Sequence, residues 1–240
     1  MVDMTHYRLI VADSAEDLAR QTAERIAFSI DQALSERDRA QIALAGGGTP
    51  RSTYVRLGSE HLPWDRVDVL LGDERYVPPD DPASNARMLA ETLLAQAPAR
   101  DARFHPVPVD SESPSAAVDA YAAMISTLCP GTPPCFDLVL LGLGEDGHTA
   151  SLFPGTDAIH VTDRWVCLGE GKGLPRISLT APVLSAARQV LFLVSGPEKA
   201  QALRRLINDQ ESPDRTPARL VQPAGEVIIL ADAAAGAGLP

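Results

Sequence analysis

Cysteine, lysine and aromatic residues are scarce in this 240-residue chain. Cys129, Cys135 and Cys167 are the only three cysteines, and none of them forms a Cys-x-x-Cys spacing. They suit neither a disulfide frame nor a zinc knot and read as free thiols in a reducing compartment, so the cytoplasm is the expected location. No apolar run approaches the roughly 18 residues that span a bilayer, and no membrane partner is expected. Met1 to Arg8 carries an acid early and no apolar core, so it does not read as a secretion signal. Positive charge is also in deficit: 21 basic against 32 acidic side chains, a formal charge of −11 with histidine neutral. That balance disfavours nucleic acid as a partner, because phosphate backbones reward basic patches. Among the basic residues only Lys172 and Lys199 are lysine, which a genomic bias toward arginine explains.

What is present is ordinary globular material. Hydrophobic residues make up 45% and charged residues 22%, which excludes a disordered or fibrous chain. The length suffices for a full core. Short apolar strands alternate with helical patterns from end to end. Tyr7 to Ala12 reads as a strand. Ser14 then caps a helix running to about Ser35, with Asp17 completing a capping box. Strands follow at Ile42 to Ala45, Val67 to Leu71, Leu138 to Leu141, Gln189 to Val194 and Val227 to Ala231. Helices are expected from Pro50, over Asn85 to Gln96, over Ser115 to Leu128, after Thr180, and over Pro197 to Ile207. This rhythm predicts a mainly parallel α/β sheet with helices on both faces, in a single domain over 1–240. Ligands of such sheets sit beyond the carboxyl ends of the strands, where three loops converge.

Gly46-Gly47-Gly48-Thr49-Pro50 lets backbone N–H groups approach a ligand, and the following helix adds a positive end. It is either a phosphate cradle or a glycine turn with no ligand. It is not a P-loop, since no Gly-Lys-Ser/Thr follows. Gly72-Asp73-Glu74-Arg75-Tyr76-Val77-Pro78 places two carboxylates beside an arginine. Arg75 either pairs with Asp73 or Glu74, or grips an anion with its planar fork. The third loop is Gly142-Leu143-Gly144-Glu145-Asp146-Gly147-His148-Thr149-Ala150-Ser151-Leu152-Phe153-Pro154. Its glycines match G-x-G-x-x-G, but Glu145 and Asp146 would repel a pyrophosphate, and the dinucleotide reading is set aside. Instead, His148 beside Asp146 on a glycine-rich loop is a candidate general base. Lys199 falls in the first turn of a helix, where the macrodipole disfavours a cation unless an anion binds there.

Together these segments resemble the glucosamine-6-phosphate isomerase/6-phosphogluconolactonase family, on its lactonase side. The Gly-Gly-Gly-Thr-Pro loop, the Asp-Glu-Arg-x-Val-Pro segment with Ser84-Asn85, the Asp-Gly-His-Thr-Ala-Ser-Leu-Phe-Pro-Gly segment, and Arg176 with Lys199 occur in the family's order, from about Ile42 to Ala200. The resemblance implies a modified Rossmann-like, three-layer α/β fold. It implies hydrolysis of 6-phospho-D-glucono-1,5-lactone to 6-phospho-D-gluconate, the second step of the oxidative pentose phosphate pathway, without organic cofactor or required metal. In that reading His148 activates water and Asp146 orients it. Gly47, Gly48, Thr49, Asp73, Arg75, Arg176 and Lys199 bind the sugar-phosphate lactone, and the chain is a monomer or small homo-oligomer. Glu145, Asn85 and Ser151 have no assigned role. Two alternatives share the fold: a glucosamine-6-phosphate deaminase and a non-catalytic sugar-phosphate sensor. In the deaminases the loop resembles Asp-Gly-His-Ile-Ala-Phe-Asn-Glu-Pro, with a glutamate that assists ring opening. Phe153 stands at that position here and cannot move a proton.

Overall fold

The computed structural model describes residues 7–171 and 173–239. The sequence readings on Met1 to His6 and on Lys172 lie outside the described residues. Seven strands form one sheet in the order β1-β10-β9-β6-β2-β3-β5, and every pairing in it is parallel. They are β1 (Tyr7–Ala12), β2 (Ala40–Leu44), β3 (Val67–Leu71), β5 (Arg103–Phe104), β6 (Leu138–Gly142), β9 (Val190–Val194) and β10 (Val227–Asp232). In β2, β3 and β9 every residue is buried, Gln41 and Asp68 included, so both faces of the sheet are covered. The helices are α1 (Ala15–Glu36), α2 (Arg51–Leu57), α3 (Asn85–Glu91), α4 (Pro114–Leu128), α5 (Ala181–Ala186) and α6 (Ala200–Leu206). The result is the expected α/β arrangement with a mainly parallel sheet.

Three strands lie elsewhere. β4 (Asp73–Arg75), β7 (Val166–Gly171) and β8 (Leu174–Leu179) make a small antiparallel sheet in the order β4-β8-β7. The segment after Gly72, read from sequence as a loop, is therefore a short strand. The segment that contains Arg176 is a strand ahead of the expected helix α5. α3 ends at Glu91, short of the predicted Gln96, because Thr92 leaves helical geometry and bonds its hydroxyl back to Met88 O at 2.7 Å. The helix expected from Pro197 begins as a single 3-10 turn over Pro197–Lys199 before α6. At α1, Ser14 Oγ accepts from Asp17 N at 3.1 Å, as a cap should. The Asp17 carboxylate turns to Asp13 N, Arg20 and Gln21, which leaves the capping box half made.

Two buried polar devices hold β3, the strand that delivers Gly72 to the sheet edge. β5 pairs with β3 only at Asp68 and Val69. Beyond it, the Tyr121 hydroxyl donates to Leu71 O at 2.7 Å and accepts from Leu71 N at 3.1 Å, so the strand end has no orphaned backbone group. At the other end, Asp68 accepts from Arg39 Nε and Nη2 at 2.6 and 2.8 Å, from His105 Nε2 at 2.8 Å and from Gln41 Nε2 at 3.3 Å. Burial works to raise the Asp68 carboxyl, but these donors prevail and hold it below the usual carboxylate range.

A carboxyl lowered on folding stabilises the protein above its unfolded value of about 3.9, and that contribution disappears as pH falls through the lower folded value. Asp68→Asn is therefore expected to cost about 2–4 kcal/mol at pH 7, since it strands Arg39 and His105. Denaturant unfolding of both proteins should show the gap narrowing on acidification below about pH 4. A gap that does not change with pH would refute the assignment.

Candidate active site

Four neighbouring strands, β9, β6, β2 and β3, end at one edge of the sheet, and the chain crosses from one side of β2 to the other there. The loops that leave them enclose a cleft of about 310 Å³, where a doubly wound sheet is expected to bind its ligand. Gly47, Gly48 and Thr49 line this cleft, together with Asp73, Arg75, Arg176, His148 and Lys199. Asp146 does not line the cleft; it holds His148 from behind.

Gly47 has φ of +100°, which turns the loop after β2 in a way that side chains rarely allow. Among the described residues, the N–H groups of Gly47, Gly48 and Thr49 find no acceptor. Tyr54, on the buried face of α2, ties the root of this loop through its hydroxyl to Ala45 O at 2.6 Å. Gly46 is glycine for a different reason: a Cβ there would fall into the side chain of Asn85. Asn85 is fully enclosed and joins two loops to the second sheet. Its Nδ2 donates to Asp73 O at 2.8 Å and its Oδ1 accepts from Arg75 Nη1 at 2.8 Å.

Arg75 does not pair with its neighbouring carboxylates. Nη1 donates to Ala83 O and Asn85, and Nε is buried without a partner. Glu74 instead closes the N-terminus of α3, accepting from Asn85 N and Ala86 N at 2.8 Å each and from Arg75 N at 2.7 Å. Burial lifts the Glu74 carboxyl above its usual range despite those donors. Arg75 lies directly opposite Arg176 in the β4–β8 ladder. Arg176 is buried, donates from Nε to Gly171 O at 3.1 Å and keeps Nη1 3.7 Å from Asp73. Burial lowers its pKa; Asp73 opposes the shift and Arg75 adds to it. The Asp73 carboxylate accepts from Ser151 Oγ at 2.5 Å, so it braces Arg176 from a fixed seat. Lys199 reaches Glu145 at 3.6 Å, a pair whose carboxylate is largely exposed.

His148 Nδ1 lies 2.5 Å from Asp146 Oδ1, which also accepts from His148 N at 3.0 Å. Burial works to raise the Asp146 carboxyl, but the His148 ring and backbone bonds outweigh it and hold the group at about 2. An ionised carboxylate only accepts, so Nδ1 carries the proton and Nε2 has the free lone pair. Among the described residues Nε2 has no partner. The loop is shaped around this pair. Gly144 N donates to His148 O at 2.8 Å, and a Cβ at Gly144 would strike the imidazole and Asp146. Gly147, at φ +95°, backs onto Thr216, and its carbonyl accepts from Ala218 N at 3.0 Å. Ala150 holds φ of 47°, the one non-glycine residue in the left-handed region among those described.

The site thus brings a dyad with a free ring nitrogen to one cleft with two arginines, a lysine and unpartnered amides. It suits a small anion carrying a group open to attack by water. Sequence reasoning missed the parts played by Asn85, Ser151 and Phe153; the Phe153 ring packs on His148 with centroids 4.2 Å apart.

Comparison with known proteins agrees with this chemistry. The family model described as glucosamine-6-phosphate isomerases/6-phosphogluconolactonase matches residues 13–230. The chain is similar to the 6-phosphogluconolactonase of Synechocystis sp., 43% identical over 88% of this chain and 89% of that protein. It is 39% identical to the 6-phosphogluconolactonase of Nostoc sp., over 96% and 97% of the two chains. Among solved structures, the 6-phosphogluconolactonase from Trypanosoma brucei superimposes with a TM-score of 0.86 at 32% identity, covering 97% of this chain and 98% of that one.

Asn85 and Gly46 offer a test of how the cleft is assembled. Asn85→Ala leaves Arg75 Nη1 and Asp73 O short of a partner and should cost about 1–3 kcal/mol. Gly46→Ala should be about as costly through its clash with Asn85, and the double variant should cost clearly less than the sum. Additive losses in denaturant unfolding would contradict the contact.

Proposed function

Because the chain belongs to the glucosamine-6-phosphate isomerase/6-phosphogluconolactonase family, we propose that it hydrolyses 6-phospho-D-glucono-1,5-lactone to 6-phospho-D-gluconate with His148 as general base. The observation that carries this reading is the free Nε2 of His148, backed by Asp146, in the cleft that Arg75 and Arg176 also line. A lactone is an activated ester, so water needs only a modest base and no cofactor or metal. His148 Nε2 takes a proton from water as the oxygen bonds to C1. The carbonyl π pair moves to oxygen, giving a tetrahedral oxyanion. The amides of the Gly47–Thr49 loop are the donors best placed to meet an anion. When the oxyanion collapses, the C1–ring oxygen bond breaks and the imidazolium returns its proton to the leaving ring oxygen. Asp146, ionised throughout, keeps Nδ1 protonated and supports the transient charge, as a triad carboxylate does.

The 6-phosphate is assigned to Arg75, Arg176 and Lys199, with Asp73 setting Arg176. Two guanidinium groups facing each other across a ladder repel, and a dianion between them relieves that repulsion. Phe153, against the imidazole, supplies no proton for the ring opening a deaminase needs, which favours the lactonase. In this reading the enzyme is a single domain in the cytoplasm, a monomer or small homo-oligomer. Its partner is the small sugar phosphate, and neither nucleic acid nor membrane takes part. The charge of −11 suits this, as does the absence among the described residues of a helix long and apolar enough to cross a membrane.

The deciding assay feeds fresh lactone and measures acid release above the spontaneous rate; glucosamine 6-phosphate should give no ammonia. His148→Ala should lower kcat at least about 100-fold while 6-phosphogluconate still binds. A variant with native turnover would remove His148 from the chemistry. Asp146, held at about 2, stays charged over the working range, so its own protonation should leave no step in the pH–rate profile there. Lys199→Ala should raise KM about 10-fold and leave kcat within about 3-fold. Loss of kcat at constant KM would move Lys199 from anchoring to chemistry.

A further inference from the structure

We propose that Phe153 is a positioning residue for His148: its ring, wedged between the imidazole and the Arg176 guanidinium, sets the plane in which the base works. The inference rests on the reading of His148 as the base and goes a step beyond it. Phe153 is buried, yet it stands outside the contiguous apolar core that gathers nearly every other buried hydrophobic residue. Its neighbours are the groups of the site. The His148 ring lies 4.2 Å away, centroid to centroid, tilted by 32°. The Arg176 guanidinium carbon lies 5.4 Å from the ring centroid, over the ring. Both contacts suit the negative face of an aromatic ring.

The geometry explains why such a wedge is needed. One hydrogen bond from Nδ1 to Asp146 fixes one corner of the imidazole and leaves it free to swing about that bond. A flat surface against the ring removes the swing. The backbone is bent to supply it. Ala150 in the left-handed region and the bridge between Thr149 and Leu152, closed by Leu152 N to Thr149 O at 2.9 Å, fold the chain back so that residue 153 returns over residue 148. Space for the wedge comes from Gly171, where a Cβ would run into the far edge of the Phe153 ring. Gly144 leaves the corresponding room beside the imidazole. The base is thus confined by two glycines and one phenylalanine, with Nε2 as its free corner.

Phe153→Leu keeps an apolar side chain and loses the flat face. It should lower kcat about 10-fold or more, because small displacements of a reacting group are costly, while affinity for 6-phosphogluconate stays within about 3-fold. In proton NMR spectra the His148 ring signals, identified by their absence from His148→Gln, should move from the upfield positions that Phe153 imposes. Gly171→Ala crowds the ring from its other side. It should give the same kcat loss, less than multiplicative with Phe153→Leu, and it serves as the test if Phe153→Leu does not fold. Native kcat in the variant tested would overturn the proposal, and so would lost affinity at native kcat or a kcat loss with unmoved His148 signals. If His148→Ala itself keeps native turnover, the base assignment fails and this inference fails with it. If His148→Ala is dead while Phe153→Leu is native, this inference alone is wrong.

Discussion

Two guanidinium groups face each other across an antiparallel ladder, and most of the site follows from that repulsion. Arg75 and Arg176 are cross-strand partners in β4 and β8, and like charges directly opposite one another destabilise a sheet. Asp73 offsets that repulsion at Arg176, but Arg75 has no paired carboxylate. Arg75 is held by a carbonyl and an amide, Arg176 by a carbonyl, and the one close carboxylate, Asp73, stands 3.7 Å off and is already engaged by Ser151. Glu74, the obvious counter-ion in sequence, is turned away to the N-terminus of α3. Such an arrangement lasts only where a rigid frame imposes it, and here the frame is the small antiparallel sheet, tied to the end of β3 where Leu179 N donates to Gly72 O at 2.9 Å. The rest of the chain carries an excess of negative charge, so this positive region also sets where an anion will settle.

The base has the complementary problem. A base must stay neutral between turnovers and accept charge during them. Asp146 supplies the compensation from outside the cleft, where its own exposure keeps desolvation tolerable, and its hydrogen bonds to His148 keep it ionised. Anchor and base are thereby separated. The arginines never compete for Asp146, and the imidazole never meets Asp73. The ring of Phe153 lies between Arg176 and His148, so the imidazolium that forms in turnover is divided from the permanent guanidinium charge by an aromatic face.

Much of this was legible before any coordinates. The buried strands β6, β9 and β10 are plain because continuous apolar runs flanked by glycine or polar turns have few other uses. Arg75, His148 and Lys199 sit together because each follows or ends a strand, and strand ends converge by topology; Arg176, inside β8, joins them by pairing with Arg75. The second sheet was hidden for a physical reason. β4 reads Asp-Glu-Arg and β8 contains a proline and an arginine, so neither shows the alternation that marks a strand. Their function places charges where propensity would not. The end of α3 was overestimated because Thr92 bonds back to Met88, a local competition that periodicity does not register. The roles of Ser151, Asn85 and Phe153 were out of reach, since each depends on a partner at least ten positions distant or on a backbone turn.

The glycines hold the last part of the account. Glycine-rich loops at a sheet edge invite a phosphate-cradle reading, and Gly47 and Gly48, with open space around them, fit it. Gly46, Gly144 and Gly171 do not. Each is a hollow filled by another side chain: Asn85 at the first, His148 with Asp146 at the second, Phe153 at the third. A Cβ at any of them would displace a residue of the site. Backbone freedom is therefore not their common purpose, for none of the three has positive φ. They are absent side chains that allow polar and aromatic groups to pack against main chain at a density the apolar core reaches by other means. A motif of glycines in this chain thus encodes two different things, an approach for the ligand and a mould for the residues that act on it, and only the three-dimensional neighbours tell them apart.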